Sequence, residues 1–204
     1  MASFLALGDS YTIGEGIAES ERWPIQLASR LRAQRLAVED PRIIARTGWT
    51  TDELSAAMDV AALHPSCALV TLAVGVNNQY RGRPLDEYRA QFRALLTRAI
   101  TLAAGDARRV IVVSIPDWGV TPFARGEGRD AQQVAAQIDA FNAVAHDEAD
   151  AVRARFVDVT GISRAPDVRG LLAADGLHPS GAQYARWLEV IAPVAREVLM
   201  NPSA

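Results

Sequence analysis

Short, unbroken runs of apolar residues recur along the chain, and within them apolar and polar residues do not alternate. Such runs are typical of parallel strands that are covered by other elements on both faces. The pattern predicts strands over residues 4–7, 43–45, 68–74, 110–115 and 156–159. The chain is therefore expected to build a sheet that lies inside the molecule.

Between these runs, apolar residues recur at the three- or four-residue spacing of a helix that buries one face. The spacing predicts helices over residues 24–35, 52–63, 85–104 and 130–153, and a last helix capped by Ser180. Thr51 is expected to cap the second of these helices, since threonine is a favoured N-cap residue. Pro193 is expected to kink or end the last helix, because proline lacks an N–H donor.

This alternation of strands and helices predicts an α/β fold. The expected architecture is a three-layer α/β/α sandwich around a five-stranded, mostly parallel, doubly wound sheet, as in flavodoxin-like folds. A chain of 204 residues with 50% hydrophobic content suits a single domain over residues 1–204. In such sheets, ligands bind beyond the carboxyl ends of the strands.

Residues that carry chemistry follow the predicted strands at that edge. Ser10 comes after the first strand, Gly48 after the second and Asn77 after the third, while Asp175 and His178 follow the fifth. We therefore expect these residues to lie close together. A hydroxyl, an imidazole and a carboxylate are the groups of a Ser-His-Asp hydrolase, in which histidine takes the serine proton and aspartate orients the imidazole.

Composition excludes several other kinds of site. All 21 cationic side chains are arginine, so the chain has no Schiff-base lysine, no Ser-Lys dyad and no Walker A lysine. The histidines at 64, 146 and 178 are far apart, without a zinc-site spacing, so no metal and no cofactor is expected. A net charge of −3 argues against nucleic acid as a partner.

The first residues, the apolar runs and the cysteine content give signals about the cellular location of the protein. No apolar run approaches the roughly 20 residues that a membrane span needs. Residues 1–4 lead directly into a strand without the features of a signal peptide, so a cytoplasmic location is expected, unless a leader was removed. Cys67 is the single cysteine, which excludes an intrachain disulfide. The oligomeric state is left open.

Four separated segments resemble the SGNH, or GDSL, hydrolase family, and they occur in that family's order. They are Ala-Leu-Gly-Asp-Ser at 6–10, Arg-Thr-Gly-Trp-Thr at 46–50, Ala-Val-Gly-Val-Asn-Asn at 73–78 and Asp-Gly-Leu-His-Pro-Ser at 175–180. The resemblance implies that Ser10 is the nucleophile, His178 the base and Asp175 the acid that orients it. It also implies an oxyanion hole formed by the N–H groups of Ser10 and Gly48 and the side-chain amide of Asn77.

One position departs from the family's pattern. The third segment usually ends in aspartate, and Asn78 stands there, so a neutral amide must do whatever that carboxylate supports. Asn78 is expected to line the substrate pocket, together with Trp49, Tyr80 and Leu177, because all four lie within or beside the catalytic segments.

The function expected from these observations is a serine esterase that cleaves a small-molecule carboxylic ester with a short acyl chain. Thioesters, lysophospholipids and acetylated sugars stay open as substrates. Two hypotheses from other classes remain. One is a non-catalytic binding domain that keeps the fold. The other is a nucleotide or phosphate binder that uses residues 8–16. The acids at 9 and 15 and the lack of lysine argue against this hypothesis.

Overall fold

Strands and helices alternate along most of the chain in the computed structural model, which describes residues 1–168 and 170–201. The strands are β1 (Phe4–Gly8), β2 (Arg42–Ala45), β3 (Leu69–Ala73), β4 (Val110–Val113) and β5 (Arg155–Val157). The α-helices are α1 (Ser10–Ile13), α2 (Trp23–Ala33), α3 (Thr51–Val60), α4 (Val76–Tyr80), α5 (Leu85–Leu102), α6 (Pro122–Gly126), α7 (Ala131–Ala151), α8 (Thr160–Arg164) and α9 (Gly181–Met200). Three short 3₁₀ helices lie at Glu19–Glu21, Ala107–Arg109 and Trp118–Val120.

The five strands form one sheet in the order β2-β1-β3-β4-β5, and every neighbouring pair is parallel. This confirms the α/β fold with its doubly wound sheet. From β1 the chain first builds β2 on one side and then β3 on the other. The strand order therefore reverses at the carboxyl ends of β1 and β3, which is where such sheets bind ligands.

Helices cover both faces of the sheet. Every residue of β1, β3 and β4 is buried, as the unbroken apolar runs predict. Helix α2 packs against α9, and α5 packs against α7. The largest fully buried side chains include Trp23, Trp187 and Tyr88. Of the helices within the described ranges, none has both the length and the apolar content to cross a bilayer.

The structure corrects the expected cap of α3 and the expectation that Pro193 could end α9. The cap of α3 is Thr50 rather than Thr51, because the Glu53 carboxylate accepts from the Thr50 N–H at 2.9 Å and closes a capping box. Helix α9 continues through Pro193 to Met200. Proline removes one hydrogen bond there, while Ile191 and other buried side chains on both sides of it keep the helix packed against the core.

The helices α1, α4, α6 and α8 were not predicted from the sequence. Each has four or five residues, which is too short for an apolar repeat to be visible. Two of them matter for function, since α1 begins with Ser10 and α4 contains Asn77.

Candidate active site

Ser10 is placed at the carboxyl edge of the sheet by a sharp turn from β1 into α1. The Asp9 carboxylate caps this helix by accepting from the Tyr11 N–H at 3.0 Å. Gly8 allows the turn, because a Cβ atom at this position would lie 2.1 Å from the Thr12 hydroxyl. Among the described residues, nothing forms a hydrogen bond with the Ser10 hydroxyl. The hydroxyl is therefore available to a base.

Asp9 lies directly behind the nucleophile and is 2% exposed. Burial raises the pKa of its carboxyl to about 7, although hydrogen bonds from the backbone N–H groups of Tyr11 and Gly75 oppose the shift. The side chain thus stabilises the turn, and it does so inside an apolar environment.

His178 and Asp175 form a tight pair after β5. The ring Nδ1 and the carboxylate Oδ2 are 2.6 Å apart, and Oδ1 accepts from the N–H groups of Leu177 at 2.9 Å and His178 at 3.0 Å. An ionised carboxylate at Nδ1 favours the tautomer that carries its proton there. The other nitrogen, Nε2, is then an acceptor and can act as a base.

Hydrogen bonds keep the Asp175 carboxylate ionised. Partial burial alone would raise its pKa, but the hydrogen bonds from the His178 ring and from the N–H groups of Leu177 and His178 outweigh burial and lower it. The side chain of Asp175 is 36% exposed, whereas that of His178 is 8% exposed. The acid therefore lies behind the imidazole and toward solvent.

Ser10 and His178 line the same cavity. The Tyr11 ring packs against the imidazole with 5.2 Å between ring centroids, and the Tyr184 hydroxyl of α9 donates to the Tyr11 carbonyl at 2.9 Å. No hydrogen bond joins the serine and histidine side chains, both of which belong to the described part. Such bonds commonly tighten only when a substrate is bound.

Residues 46–49, which we call the oxyanion loop, follow β2 and turn beside Ser10. The Trp49 N–H donates to the Arg46 carbonyl at 3.2 Å, and Gly48 has a φ of +86°, a conformation that favours glycine. Within residues 1–168 and 170–201, the backbone N–H groups of Ser10 and Gly48 have no hydrogen-bond acceptor. Both donors are free to bind a substrate oxygen.

Asn77 supplies a third donor from α4. Its Nδ2 donates to the Trp49 carbonyl at 2.9 Å, and an amide nitrogen has a second hydrogen. The helix begins next to Gly75, whose φ is +135° and where a Cβ atom would lie 2.7 Å from the Tyr88 ring. A glycine is thus needed for the chain to turn from β3 into α4. Asn77 lines the cavity together with Gly48.

The structure corrects the expectation for Asn78, which does not line the pocket. It is fully buried, and its amide pairs with Thr51 at the start of α3. Oδ1 accepts from the Thr51 N–H at 3.1 Å and Nδ2 donates to the Thr51 hydroxyl at 2.7 Å. That hydroxyl in turn bonds to Gln91. Asn78 therefore attaches α3 to α4 instead of touching substrate.

The cavity has a volume of about 170 Å³. It is lined by Ser10, Tyr11, Thr47, Gly48, Val76, Asn77, Tyr80, Trp118, Phe123, Leu177 and His178. Tyr80 and Leu177 lie where the sequence analysis places them. Trp49 is not among the lining residues, and it contributes its carbonyl to the Asn77 amide instead.

One wall of the cavity is aromatic. Trp118 is held by a hydrogen bond from its Nε1 to Gln79 at 2.8 Å, and its ring contacts those of Tyr80 and Phe123 at centroid distances of 5.4 and 6.3 Å. The Arg129 guanidinium lies 5.2 Å from the Tyr80 ring centroid. Sequence analysis missed Phe123, because α6 is too short to show a pattern. The sequence signals for this wall were the position of Trp118 just after the fourth predicted strand and that of Tyr80 beside the third catalytic segment.

The described residues contain no group of three His, Cys, Asp or Glu side chains that is arranged to hold a metal ion.

Comparisons with known proteins identify the family to which the chain is similar. Residues 6–186 match the model of the GDSL-like Lipase/Acylhydrolase family. The chain is 25% identical to Esterase TesA of Pseudomonas aeruginosa over 205 residues, which covers 97% of this chain and 89% of that protein.

Two solved structures share the fold. A crystal structure of TesA superposes with a TM-score of 0.74 at 22% identity, covering 96% of this chain and 99% of that one. A mutant of Axe2, an acetyl-xylooligosaccharide esterase from Geobacillus, gives a TM-score of 0.71 at 20% identity and covers 98% and 95% of the two chains.

Proposed function

The chain belongs to the GDSL-like lipase/acylhydrolase family and is a serine ester hydrolase of that kind, and from this premise we propose that it cleaves carboxylic esters with short acyl chains through an acyl-serine intermediate on Ser10. One observation carries the proposal. Ser10, His178, Gly48 and Asn77 line a single cavity, and Asp175 bonds the imidazole at the nitrogen that the proposed proton transfer does not use.

In the first step, Nε2 of His178 takes the proton of the Ser10 hydroxyl while the oxygen attacks the ester carbonyl. A serine hydroxyl is a weak nucleophile without such a base. The 2.6 Å contact between Nδ1 and the Asp175 carboxylate holds the ring and stabilises the imidazolium that forms. The lowered pKa of Asp175 keeps this carboxylate charged in mildly acidic solution.

Attack places negative charge on the carbonyl oxygen, and three donors from residues that line the same cavity are the groups proposed to bind it. They are the N–H groups of Ser10 and Gly48 and the second hydrogen of the Asn77 amide. All three are neutral and act without a protonation step. Donors fixed in advance stabilise the developing charge without having to reorganise, and loss of one typically costs about 2.7–4 kcal/mol of transition-state stabilisation.

The tetrahedral species then collapses. The bond to the leaving alcohol breaks as the imidazolium returns its proton to the alcohol oxygen, which leaves the acyl group on Ser10. Water enters next and loses a proton to His178 as it attacks the acyl carbon. The bond between the acyl carbon and the serine oxygen then breaks as the imidazolium returns its proton to that oxygen, which releases the carboxylic acid and restores the serine hydroxyl.

The cavity favours a short acyl group. Its volume of about 170 Å³ is below the roughly 300–1,000 Å³ of pockets that bind drug-sized ligands. Val76, Trp118, Phe123 and Leu177 give it a mostly apolar lining, which suits a small hydrocarbon group. Tyr80 is 37% exposed at the same cavity, so an acetylated sugar whose ring lies outside the cavity is the second candidate substrate.

The proposal is tested by measuring how fast purified protein hydrolyses p-nitrophenyl esters of increasing acyl length. Acetylated xylo-oligosaccharides and an acyl thioester are measured alongside. We expect turnover of the shortest esters to be fastest and an organophosphonate to label Ser10 stoichiometrically. Ser10→Ala should be inactive and unlabelled, while Ser29→Ala, which changes an exposed serine on α2, should behave as the wild type.

Full turnover by Ser10→Ala would exclude the proposed nucleophile. An inert wild-type protein that the phosphonate does not label would favour a binding domain instead. Faster turnover of long-chain esters would contradict only the proposed acyl length and would leave the proposed nucleophile in place.

A further inference from the structure

Two consecutive carbonyls of the oxyanion loop are held by two residues one helical turn apart. The Gly48 carbonyl accepts from Arg81 Nη2 at 2.6 Å, and the Trp49 carbonyl accepts from Asn77 Nδ2 at 2.9 Å. Arg81 is the C-cap of α4, and its own N–H donates to the Asn77 carbonyl at 3.0 Å. The loop is thus attached to α4 at both ends of that short helix.

We propose that Arg81 is a positioning residue for the oxyanion hole. Its guanidinium holds the Gly48 carbonyl, which limits rotation of the Gly48 backbone and so keeps the Gly48 N–H in a fixed position relative to the Asn77 amide. The inference deepens the proposed function and rests on it, since it takes Gly48 and Asn77 as the donors to the substrate oxygen. In this proposal, Arg81 itself does not contact the substrate.

Gly48 needs such an anchor. Glycine has the widest choice of backbone conformations, and at a φ of +86° no side chain restricts it. The direction of its N–H follows from its backbone angles. Arg81 Nη2 is also close enough that a Cβ atom on Gly48 would contact it at 3.7 Å. A strong charge-assisted hydrogen bond to the Gly48 carbonyl therefore limits the conformations that this glycine samples.

The same guanidinium reaches the end of the loop. Arg81 Nη1 lies 3.3 Å from Glu53 Oε2, and this oxygen accepts from the Thr50 N–H at 2.9 Å. A planar guanidinium with donors at fixed angles suits two acceptors at once, whereas a lysine ammonium would hold them less rigidly. Arg81 thus connects the middle of the loop, the start of α3 and the end of α4.

Arg83 provides a matched comparison two residues later. It also pairs with α3, through Asp52 at 3.0 Å, and with Glu87 at 3.1 Å. Within the described ranges its side chain bonds only to these carboxylates and to no carbonyl of the oxyanion loop. Its side chain is 26% exposed against 42% for Arg81. If the effect of Arg81 on kcat came from ion pairing alone, loss of Arg83 would lower kcat at least as much as loss of Arg81.

The test compares Arg81→Ala, Arg81→Lys and Arg83→Ala in hydrolysis of p-nitrophenyl acetate and in inhibition by an alkylboronic acid, which forms a tetrahedral adduct with the serine. For Arg81→Ala we expect kcat to fall about tenfold or more, KM to stay within about twofold, and the boronate Ki to rise by the same factor as kcat falls. Arg81→Lys should recover part of the loss, and Arg83→Ala should match the wild type.

Equal kinetics for Arg81→Ala and Arg83→Ala, or a change in KM alone, would overturn the inference. If Arg81→Ala does not fold, Arg81→Lys decides: wild-type kcat and Ki in that variant would overturn the two-acceptor role. Ser10→Ala is measured alongside. Full turnover by Ser10→Ala overturns the proposed function and this inference with it, whereas an inactive Ser10→Ala confines the failure to Arg81.

Discussion

The two halves of the active site are built in opposite ways. The proposed acid–base half, Asp175 and His178, is local, with two groups three residues apart joined at 2.6 Å. The proposed oxyanion half, made of the Ser10 N–H, the oxyanion loop and Asn77, is neutral and assembled from segments that are distant in sequence and meet only in the folded chain.

This difference separates two requirements of catalysis. The acid–base half must accept and return a proton during the reaction, so its two groups depend on each other. The oxyanion half must keep donors fixed while charge appears nearby, so it depends on position, and its donors respond little to pH. The first half is secured by hydrogen bonds within one turn. The second is secured by contacts between β2, α3 and α4.

Asp175→Asn should have the largest effect, since it removes the charge on which the acid–base half depends. We expect kcat for p-nitrophenyl acetate to fall about 10⁴-fold, because an amide at Nδ1 does not select the required tautomer or stabilise the imidazolium. Asp167→Asn, which changes an exposed acid paired with Arg186, is the control and should leave kcat unchanged. A loss below tenfold in Asp175→Asn would remove Asp175 from the mechanism.

Asn77→Ala should lower kcat by about 10²–10³-fold with little change in KM, since it removes one donor to the developing charge. Its profile of kcat/KM against pH should keep the wild-type shape, because an amide does not titrate. The measurement is a pH series on both proteins. A profile displaced along the pH axis would contradict the separation of the two halves.

Asn78→Asp should lower the free energy of unfolding by about 2 kcal/mol, the typical cost of an unsatisfied buried polar group. An aspartate cannot donate to the Thr51 hydroxyl. If that hydroxyl turns toward the new carboxylate, it abandons Gln91. Urea unfolding at pH 8 measures the change, and combining Asn78→Asp with Gln91→Ala should reduce the cost. Unchanged stability in the single variant would show that the network tolerates a charge.

Asp9→Asn should have the smallest effect, on the pH dependence of stability. The folded pKa of Asp9 is about 7, above the unfolded value, so the folded protein binds more protons and becomes less stable as pH rises between about 4 and 7. Between pH 6 and pH 8 this loss is about 1 kcal/mol. Thermal unfolding should show that Asp9→Asn lacks this loss. Parallel curves for the two proteins would place the Asp9 pKa outside this range.

Much of the architecture could be predicted from the chain alone. Buried parallel strands appear as unbroken apolar runs, and the rule that ligands bind at the carboxyl edge brought Ser10, Gly48 and Asn77 to the same place. The Asp175–His178 pair was the simplest prediction, because two residues three apart can meet without knowledge of the fold. The structure brings these residues to one site, and their catalytic roles stay predictions.

The parts that could not be predicted depend on contacts between distant segments. Nothing near Arg81 in the sequence indicates that it holds the Gly48 carbonyl, and nothing near Asn78 indicates burial against Thr51. Both lie on or beside α4, which is too short for a periodic pattern. Pro193 shows the same limit, since packing along α9 outweighs a local rule.

The most direct test of the account is to trap the acyl intermediate. Wild-type protein mixed with a p-nitrophenyl ester and quenched in acid during turnover should carry one acyl group, and peptide mass spectrometry should locate it on Ser10. Ser10→Ala treated identically should carry none. An acyl group on any other side chain, or steady turnover by Ser10→Ala, would contradict the claim that this hydroxyl is the nucleophile.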